Sequence, residues 1–324
     1  MRPVHWLVIT LLTGLVFAGC GGSEDPPPAV EPAADRSDQI AKLRQEARQL
    51  KRKLKRQRAR RAAARSREEA SGGANGSLES VLAGLPGQAG LVAGAPGTGG
   101  PTVVGGDFTT GDAWSTIKVS IAERVLRDFG GPDGISPAQR ANITAAITVS
   151  DNDAAAALFR DLENRHGGLA AASGAVGEML REAGDAETVI STQGRDSFST
   201  YGQTDWSLEN QYRYMAALAG GCISDPASRE FLLGQMGSVG GSDLFGIGAT
   251  GVPARWKGGW GPGTDGKYLV RQMGVVEADG KEIVLAIAAI PDDGTFESGQ
   301  SMLSELAGWA ATELAGQIPA PGGC

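Results

Sequence analysis

Histidine and cysteine are scarce in this chain of 324 residues, which has two histidines and three cysteines. Cys20, Cys222 and Cys324 have no metal-ligand spacing, and only His5 and His166 carry an imidazole. A histidine-based zinc site is therefore not expected, and we predict no metal and no cofactor. His166 precedes two glycines at a predicted helix C-terminus, where a cation is favoured. Any serine chemistry in the chain is therefore expected to use lysine as its base.

The main body of the chain lacks positive charge. From position 71 to the end there are 15 basic and 29 acidic side chains, a formal net charge of about −14. Fourteen of the 30 basic residues lie instead between Arg36 and Arg67, beside only two acids. Because phosphate binding needs clustered positive charge, we do not expect the body to bind nucleic acid.

The chain also lacks a hydrophobic run typical of a membrane-spanning helix. Its most apolar stretch, Trp6 to Ala18, follows the positive Met1-Arg2 and is typical of a secretory signal. The stretch ends in Phe17-Ala18-Gly19-Cys20, which resembles the bacterial lipoprotein box. That resemblance implies a signal peptide over residues 1–19 and a lipidated Cys20. It places the mature protein on the extracytoplasmic face of the cell membrane, held by acyl chains. Ordinary secretion after cleavage elsewhere is the alternative.

Two segments separate the lipidation site from the body. Residues 20–36 are predicted to be a polar, proline-rich tether, and residues 37–70 a basic helical spacer. Its apolar residues make about two heptads, too few for an independent coiled coil, and the spacer's oligomeric state is open. A disordered spacer is the alternative. Its arginines could hold anionic lipid or wall polymer, and a Gly/Ser-rich linker at 71–77 leads into the body.

The body is predicted to be one domain over residues 78–318, with a tail at 319–324. A short helix and two short strands open it, and a run of helices follows. Ser136-Pro137 is predicted to begin one of these helices, and Asp153 is predicted to cap the next. Beyond position 251 the hydrophobic period becomes two, which indicates further strands before a last helix. Hairpin turns are predicted at Asp265-Gly266 and Asp279-Gly280. Strands at both ends predict one sheet built from the two termini of the domain, with a helical lobe inserted. The predicted strands are Ala89–Ala95, Thr102–Phe108, Pro253–Trp260, Lys267–Val276 and Glu282–Ile290.

Three motifs carry the candidate chemistry: Ser115-Thr116-Ile117-Lys118, Ser150-Asp151-Asn152 and Lys257-Gly258-Gly259. If the first is helical, Ser115 and Lys118 share a face, and the amine lies within hydrogen-bond reach of the hydroxyl. A helix N-terminus at Ser115 would stabilise an oxyanion. Lys118 can act as a base only when neutral, so its pKa of about 10.4 must fall by roughly three units. Burial and a second cation, Lys257, are expected to lower it.

These motifs, in this order, resemble those of class A β-lactamases and penicillin-binding proteins. The resemblance extends from about Leu78 to Gln317. It implies an α/β (α+β) fold of the β-lactamase/DD-peptidase type: a five-stranded antiparallel sheet flanked by helices, an inserted all-helical lobe, and a site between them. The chain is also similar to a group of actinobacterial serine hydrolases of this superfamily at Thr204–Ser207, 257–261 and Tyr268–Gln272.

The same resemblance implies roles for the motif residues. Ser115 would be the nucleophile, Lys118 its base, and Ser150 a proton relay to the leaving amine. Asn152, Lys257 and Gly259 would bind the substrate, and the N–H of Trp260 would be the second oxyanion donor.

Two positions depart from the family pattern. Gly258 has no hydroxyl, which the family usually has after this lysine and which bears on recognition of a substrate carboxylate. Residues 191–204 contain no glutamate to activate the water for deacylation. Asp196 and then Glu187 are the nearest candidate carboxylates, and ordinary loop residues are the alternative for both.

We therefore expect a membrane-anchored, extracytoplasmic serine hydrolase, acylated at Ser115 by a β-lactam or a peptidoglycan-like peptide and slow to deacylate. A non-catalytic, degenerate cell-wall-binding or scaffold lipoprotein is the alternative. With Cys20 lipidated, Cys222 and Cys324 are a candidate disulfide in an oxidising exterior.

Overall fold

The computed structural model describes residues 76–324, and its sheet takes strands from both ends of this stretch. The signal peptide, Cys20, the tether, the basic spacer and the linker up to residue 75 lie outside the described residues. In chain order the helices and strands are α1 (Leu78–Gly84), β1 (Gly87–Gly94), β2 (Val103–Gly106), α2 (Lys118–Phe129), α3 (Gly131–Gly134), α4 (Pro137–Thr148), α5 (Asn152–His166), α6 (Leu169–Glu182), α7 (Leu208–Gly220), α8 (Pro226–Met236), β3 (Ala254–Pro262), β4 (Tyr268–Ala278), β5 (Lys281–Pro291) and α9 (Phe296–Glu313).

The five strands form one antiparallel sheet in the order β2-β1-β5-β4-β3. The predicted mixed fold with a sheet made from both ends of the domain is confirmed. The two short turns predicted at Asp265-Gly266 and Asp279-Gly280 connect β3 to β4 and β4 to β5. Strand β3 is an edge strand, and the residues of the lysine motif lie on it.

Strand β5 is buried on both faces, so its residues do not alternate between apolar and polar. Val284 and Ala286 enter a core shared with the helical lobe, whereas Leu285 and Ile287 enter a core under α9. Successive strand residues point to opposite faces, so one strand supplies both cores. Helix α7 packs on one side of the sheet, and α1 and α9 lie on the other.

The inserted lobe is built around α2, whose Ile121, Val125 and Leu126 are fully buried. Helix α4 begins at Pro137 after a reciprocal cap between Ser136 and Gln139, as its sequence predicted.

The prediction that Asp153 caps the next helix is wrong. The carboxylate of Asp151 accepts the Ala154 N–H at 2.8 Å, so the N-cap of α5 lies two residues earlier than expected. Helix α5 ends at His166, as expected, and the His166 ring lies 2.6 Å from Asp128.

The C-terminal tail is joined to the body. Cys222 follows α7, and its sulfur lies 2.07 Å from that of Cys324, so the predicted disulfide is present. Gly322 donates to the Pro96 carbonyl at 2.9 Å, and the Thr98 hydroxyl donates to the Gly323 carbonyl at 3.0 Å. Residues 319–324 therefore run along the connection between β1 and β2.

Candidate active site

Ser115 lies in a 3₁₀ turn, Trp114–Ile117, that leads directly into α2. Trp114 has φ 48°, a conformation that costs a tryptophan on the order of 1–3 kcal/mol and that clusters at functional sites. The chain just before it is fixed by the fully buried Arg271 of β4. Arg271 donates to the carbonyls of Gly111 at 2.7 Å and Asp112 at 3.0 Å. The nucleophile candidate is thus presented from a rigid support.

The amine of Lys118 is directed at the Ser150-Asp151-Asn152 turn. Its Nζ lies 2.7 Å from the Ser150 carbonyl oxygen, 2.7 Å from Asn152 Oδ1 and 3.4 Å from Ser150 Oγ. Within residues 76–324 the hydroxyl of Ser115 makes no hydrogen bond, so the expected Ser115–Lys118 bond is not formed. The physical reason is that the carbonyl and amide oxygens of the turn occupy the Lys118 donors. The amine has to give up one of these contacts before it can act on Ser115, and catalytic hydrogen bonds are often not yet formed in unliganded sites.

Ser150 lies between the two candidate amines. Its φ is 57°, the left-handed region, which turns its hydroxyl and its carbonyl toward the lysines. Lys257 Nζ donates to Ser150 Oγ at 2.9 Å and to the Gly258 carbonyl at 2.8 Å. The three motifs, widely separated in sequence, therefore meet in one hydrogen-bonded group.

Burial makes both amines weaker bases than the amine of free lysine. It lowers the pKa of Lys118 to about 8, against the opposing influence of the Asp151 and Asp243 carboxylates. Burial lowers the pKa of Lys257 to about 7, and the nearby charge of Lys118 lowers it further, while Asp243 opposes the shift. A group whose pKa lies near the working pH is suited to act as a general base and then as a general acid.

A cleft of about 350 Å³ opens beside these residues. Ser115, Lys118 and Asn152 line it, and so does Asp153. Four aromatic side chains form part of its walls and come from the Ser115 turn, the loop before α7 and strand β3: Trp114, Phe198, Tyr201 and Trp260. Lys257 is fully buried, so its amine reaches the cleft only through Ser150.

Strand β3 approaches the Ser115 turn very closely at Gly259. A Cβ atom there would lie 2.7 Å from the Ser115 nitrogen and 2.8 Å from the Thr116 nitrogen, so only glycine fits. Trp260 follows, half-buried, with its ring 4.9 Å from that of Phe296. Backbone groups two residues apart point to the same edge of a strand. The N–H of Trp260 is thus expected at the edge where the Gly258 carbonyl accepts the Lys257 amine.

Neither carboxylate considered for deacylation lies in the cleft. Asp196 is 72% exposed, pairs with Arg195 at 3.8 Å and does not line the cavity. Glu187 is exposed and accepts a hydrogen bond from the Asn210 side chain at 3.4 Å. The geometry therefore does not support either as an activator of water at Ser115, because neither approaches the cleft. The carboxylate that does line it is Asp153.

Sequence reasoning missed Asp153 as a cleft residue and Arg271 as the clamp behind the nucleophile. Asp153 directly follows the Ser-Asp-Asn motif, so its place beside Asn152 on the first turn of α5 was a usable signal. Arg271 carried no such signal, because its partners are backbone carbonyls distant in sequence. Among residues 76–324, no group of three or more metal-binding side chains is close enough to hold a metal ion.

Compared by sequence, the chain matches no protein-family model and no curated protein. Compared by structure, it is similar to class A β-lactamases. A β-lactamase from Streptosporangium roseum is 19% identical with a TM-score of 0.56, over 79% of this chain and 100% of that one. One from Desulfarculus baarsii is 20% identical with a TM-score of 0.54, over 74% and 96%. The class A β-lactamase of Mycobacterium abscessus is 18% identical with a TM-score of 0.54, over 72% and 96%.

The described chain thus has the fold of class A β-lactamases, which confirms the resemblance seen in its motifs at the level of fold. At identities of 16–20% such a likeness does not establish an activity. The function has to be argued from the site itself.

Proposed function

We propose that the protein is a membrane-anchored, extracytoplasmic serine hydrolase of the class A β-lactamase type, acylated at Ser115. The observation that carries the proposal is the position of the Ser150 hydroxyl, 2.9 Å from Lys257 and 3.4 Å from Lys118, beside a cleft lined by Ser115. Such a group can take a proton from a nucleophile and return it to a leaving group. A β-lactam or a peptidoglycan-like peptide is the proposed substrate.

In the acylation step, Ser115 Oγ attacks the carbonyl carbon of the substrate and its proton passes to neutral Lys118. The oxyanion that forms is stabilised by the N–H groups of Ser115 and Trp260. As the carbon–nitrogen bond breaks, the leaving nitrogen takes a proton from the Ser150 hydroxyl. Ser150 is reprotonated by the lysine pair, and Ser115 is left as an ester. Asn152 orients the substrate amide. Gly259 has no side chain and so lets strand β3 approach the Ser115 turn.

Deacylation is proposed to be slow. Hydrolysis of the ester needs a water molecule activated by a base near Ser115, and residues 191–204 carry no glutamate. Instead of a glutamate, this loop places Ser197 and Ser199 at the cleft wall. A hydroxyl is a poor base, so the acyl-enzyme is expected to persist.

The cellular location is proposed from the N-terminal sequence. The apolar stretch before Cys20 supports lipidation there, with the arginines of the 37–70 segment as further contacts to anionic lipid or wall polymer. None of the helices in residues 76–324 is long and apolar enough to cross a membrane. Changing Cys20→Ala should release the protein from the membrane fraction; unchanged retention would refute the lipid anchor.

The acylation proposal is tested by mass spectrometry of the intact protein. One sample is incubated with a labelled penicillin at millimolar concentration, and a parallel sample with an uncharged fluorophosphonate probe. An adduct on Ser115 from either reagent, absent in Ser115→Ala, supports the hydrolase. A steady-state assay with a chromogenic cephalosporin then tells turnover from slow acylation.

The alternative is a degenerate scaffold lipoprotein without turnover. Two observations favour it: Gly258 lacks a hydroxyl, and the Lys118 amine is bonded away from Ser115. No adduct from either reagent, in a protein whose circular dichroism shows an intact fold, would establish this alternative and overturn the hydrolase.

A further inference from the structure

The cleft offers a substrate one ionic group of each sign. Lys118 is the cation, and its amine must be neutral to accept the proton of Ser115. Asp153 is the anion; it is exposed and forms no hydrogen bond or ion pair within residues 76–324. In the state that can react, the only charge on the lining of the cleft is therefore negative.

The charges around the cleft do not reverse this balance. The amine of Lys257 is fully buried and donates to Ser150 and Gly258. Two carboxylates, Asp151 and Asp243, lie within electrostatic reach of the lysine pair. Two carboxylates thus act on two lysines whose pKa values are about 8 and 7, and Asp153 lines the cleft as a third carboxylate.

Two positively charged features near the cleft, Arg195 and the N-terminus of α5, are already neutralised by carboxylates. Arg195 lies behind the cleft wall, with its guanidinium 3.3 Å from Asp112 and 3.8 Å from Asp196. The N-terminus of α5 carries about half a positive charge. The Asp151 carboxylate caps it, and Asp153 on the first turn adds a second negative charge. The first turn of α5 therefore presents net negative charge to the cleft.

The aromatic walls favour a cation of low charge density. Trp260 is half-buried, and no cation of residues 76–324 stacks on it, whereas Arg195 already lies over the rings of Trp114 and Phe198. An aromatic face attracts an ammonium group most strongly when a carboxylate shares the site and water is partly excluded. A carboxylate in the same place would meet Asp153 and a π-face, both repulsive.

We propose that this cleft selects acyl donors that carry an ammonium group over donors that carry a carboxylate, with Asp153 as the specificity-determining residue. The inference rests on the proposed acylation at Ser115 and adds the charge of the substrate to it. It agrees with Gly258, which removes a hydroxyl associated with carboxylate recognition.

The test uses three p-nitrophenyl esters with the same four-methylene acyl chain on the full-length protein. One ends in a trimethylammonium group, one in the uncharged tert-butyl group of the same shape, and one in a carboxylate. We expect the cationic ester to have a kcat/KM at least about tenfold above that of the anionic ester, from one charge pair near a protein surface. The ratio should shrink as salt is added.

Variants assign the preference to one side chain. In Asp153→Asn the cation-to-anion ratio should fall to within about twofold of unity, and in Asp153→Lys it should invert. Asp133→Asn removes an exposed carboxylate from α3, outside the cleft lining, and should leave the ratio unchanged. If hydrolysis depends on Ser115 but the anionic ester is preferred, the inference fails and the proposed function stands. The same holds if the ratio is unchanged in the Asp153 variants. If Ser115→Ala hydrolyses all three esters as well as the unaltered protein does, the proposed function fails and the inference with it.

Discussion

The amine of Lys257 lies 2.9 Å from the hydroxyl of Ser150, across 107 positions of sequence. Lys118 contacts the same serine, with its amine 2.7 Å from the Ser150 carbonyl oxygen. A serine held between two buried amines is poised to transfer protons, and the rate of any reaction there depends on how many protons the amines carry.

Acylation at Ser115 should therefore accelerate as the pH rises. Burial lowers the pKa of Lys118 to about 8, so the neutral, basic form grows from a minor to the major species between pH 7 and 9. We expect the second-order rate of Ser115 labelling to rise through about pH 8 and then level off. Mass spectrometry of samples quenched at successive times, from pH 6 to pH 10, measures this labelling rate.

Lys118→Met should lose this rise together with most of the rate. Lys267→Met changes an exposed lysine on the β3–β4 turn and should leave the profile as it is. A rate that is flat or falling between pH 7 and 9 in the unaltered protein would exclude Lys118 as the base.

Two adjacent glycines give a sharp test of the packing between β3 and the nucleophile turn. A Cβ at Gly259 would press on the backbone nitrogens of Ser115 and Thr116, at 2.7 and 2.8 Å, where neither side can yield. At Gly258 the nearest atoms would be in the Trp260 ring at 3.3 Å and the Gln272 side chain at 3.7 Å.

Gly259→Ala should thus displace the turn and slow the labelling of Ser115 by about 100-fold, a typical result of misplacement by an ångström. Gly258→Ala should stay within about threefold of the unaltered rate, since side chains can adjust where backbone cannot. Equal losses in the two variants would show that the close approach does not position Ser115.

The strands of the sheet and the start of α4 could be predicted because they follow from local patterns. The period-two stretches after position 251 became β3, β4 and β5, and Ser136-Pro137 began α4. Asp153 was mistaken for a cap since Asp151 and Asp153 are equally suited to capping by residue type. Only the backbone conformation at Asp151 decides between them.

The site was predictable as a set of residues but not in its bonding. Spacing along a helix suggested a bond from Lys118 to Ser115. The oxygens that capture the Lys118 amine belong to a turn more than 30 residues away, and their orientation depends on the positive φ of Ser150. Asp196 and Glu187 were chosen by proximity in sequence to the expected loop, which says nothing about which way the loop faces.

The disulfide should contribute a measurable part of the stability. It links positions 102 residues apart and fixes the tail against the β1–β2 connection. We expect Cys222→Ser with Cys324→Ser to lower the free energy of unfolding by about 2–4 kcal/mol. Thermal or urea unfolding with and without reductant measures it, and reductant should not affect the double variant. An unchanged midpoint would show that the tail adds nothing to the folded body.

Glu123 should make the helical lobe less stable in mild alkali. Its side chain is 1% exposed; Oε1 accepts the Ser224 hydroxyl at 2.6 Å, and Oε2 has no partner within the described chain. Burial raises its pKa to about 7, against the opposing effects of the Ser224 hydrogen bond and Arg127. A raised pKa means that the folded state holds the proton more tightly than the unfolded state. The associated stability is complete below about pH 4.5 and is lost as the pH rises through about 7.

Glu123→Gln mimics the protonated acid at every pH. At pH 8 the variant should be more stable than the unaltered protein by about 1–3 kcal/mol, since a shift of one unit corresponds to about 1.4 kcal/mol. At pH 4.5 the difference should become small or reverse, because the carboxyl is then protonated in the folded state and about half protonated in the unfolded state. Urea unfolding at the two pH values measures the change, and Glu182→Gln, at a half-exposed partner of Arg127, serves as the control. If Glu123→Gln shifts stability equally at both pH values, its effect comes from packing, and the carboxyl does not titrate near neutrality.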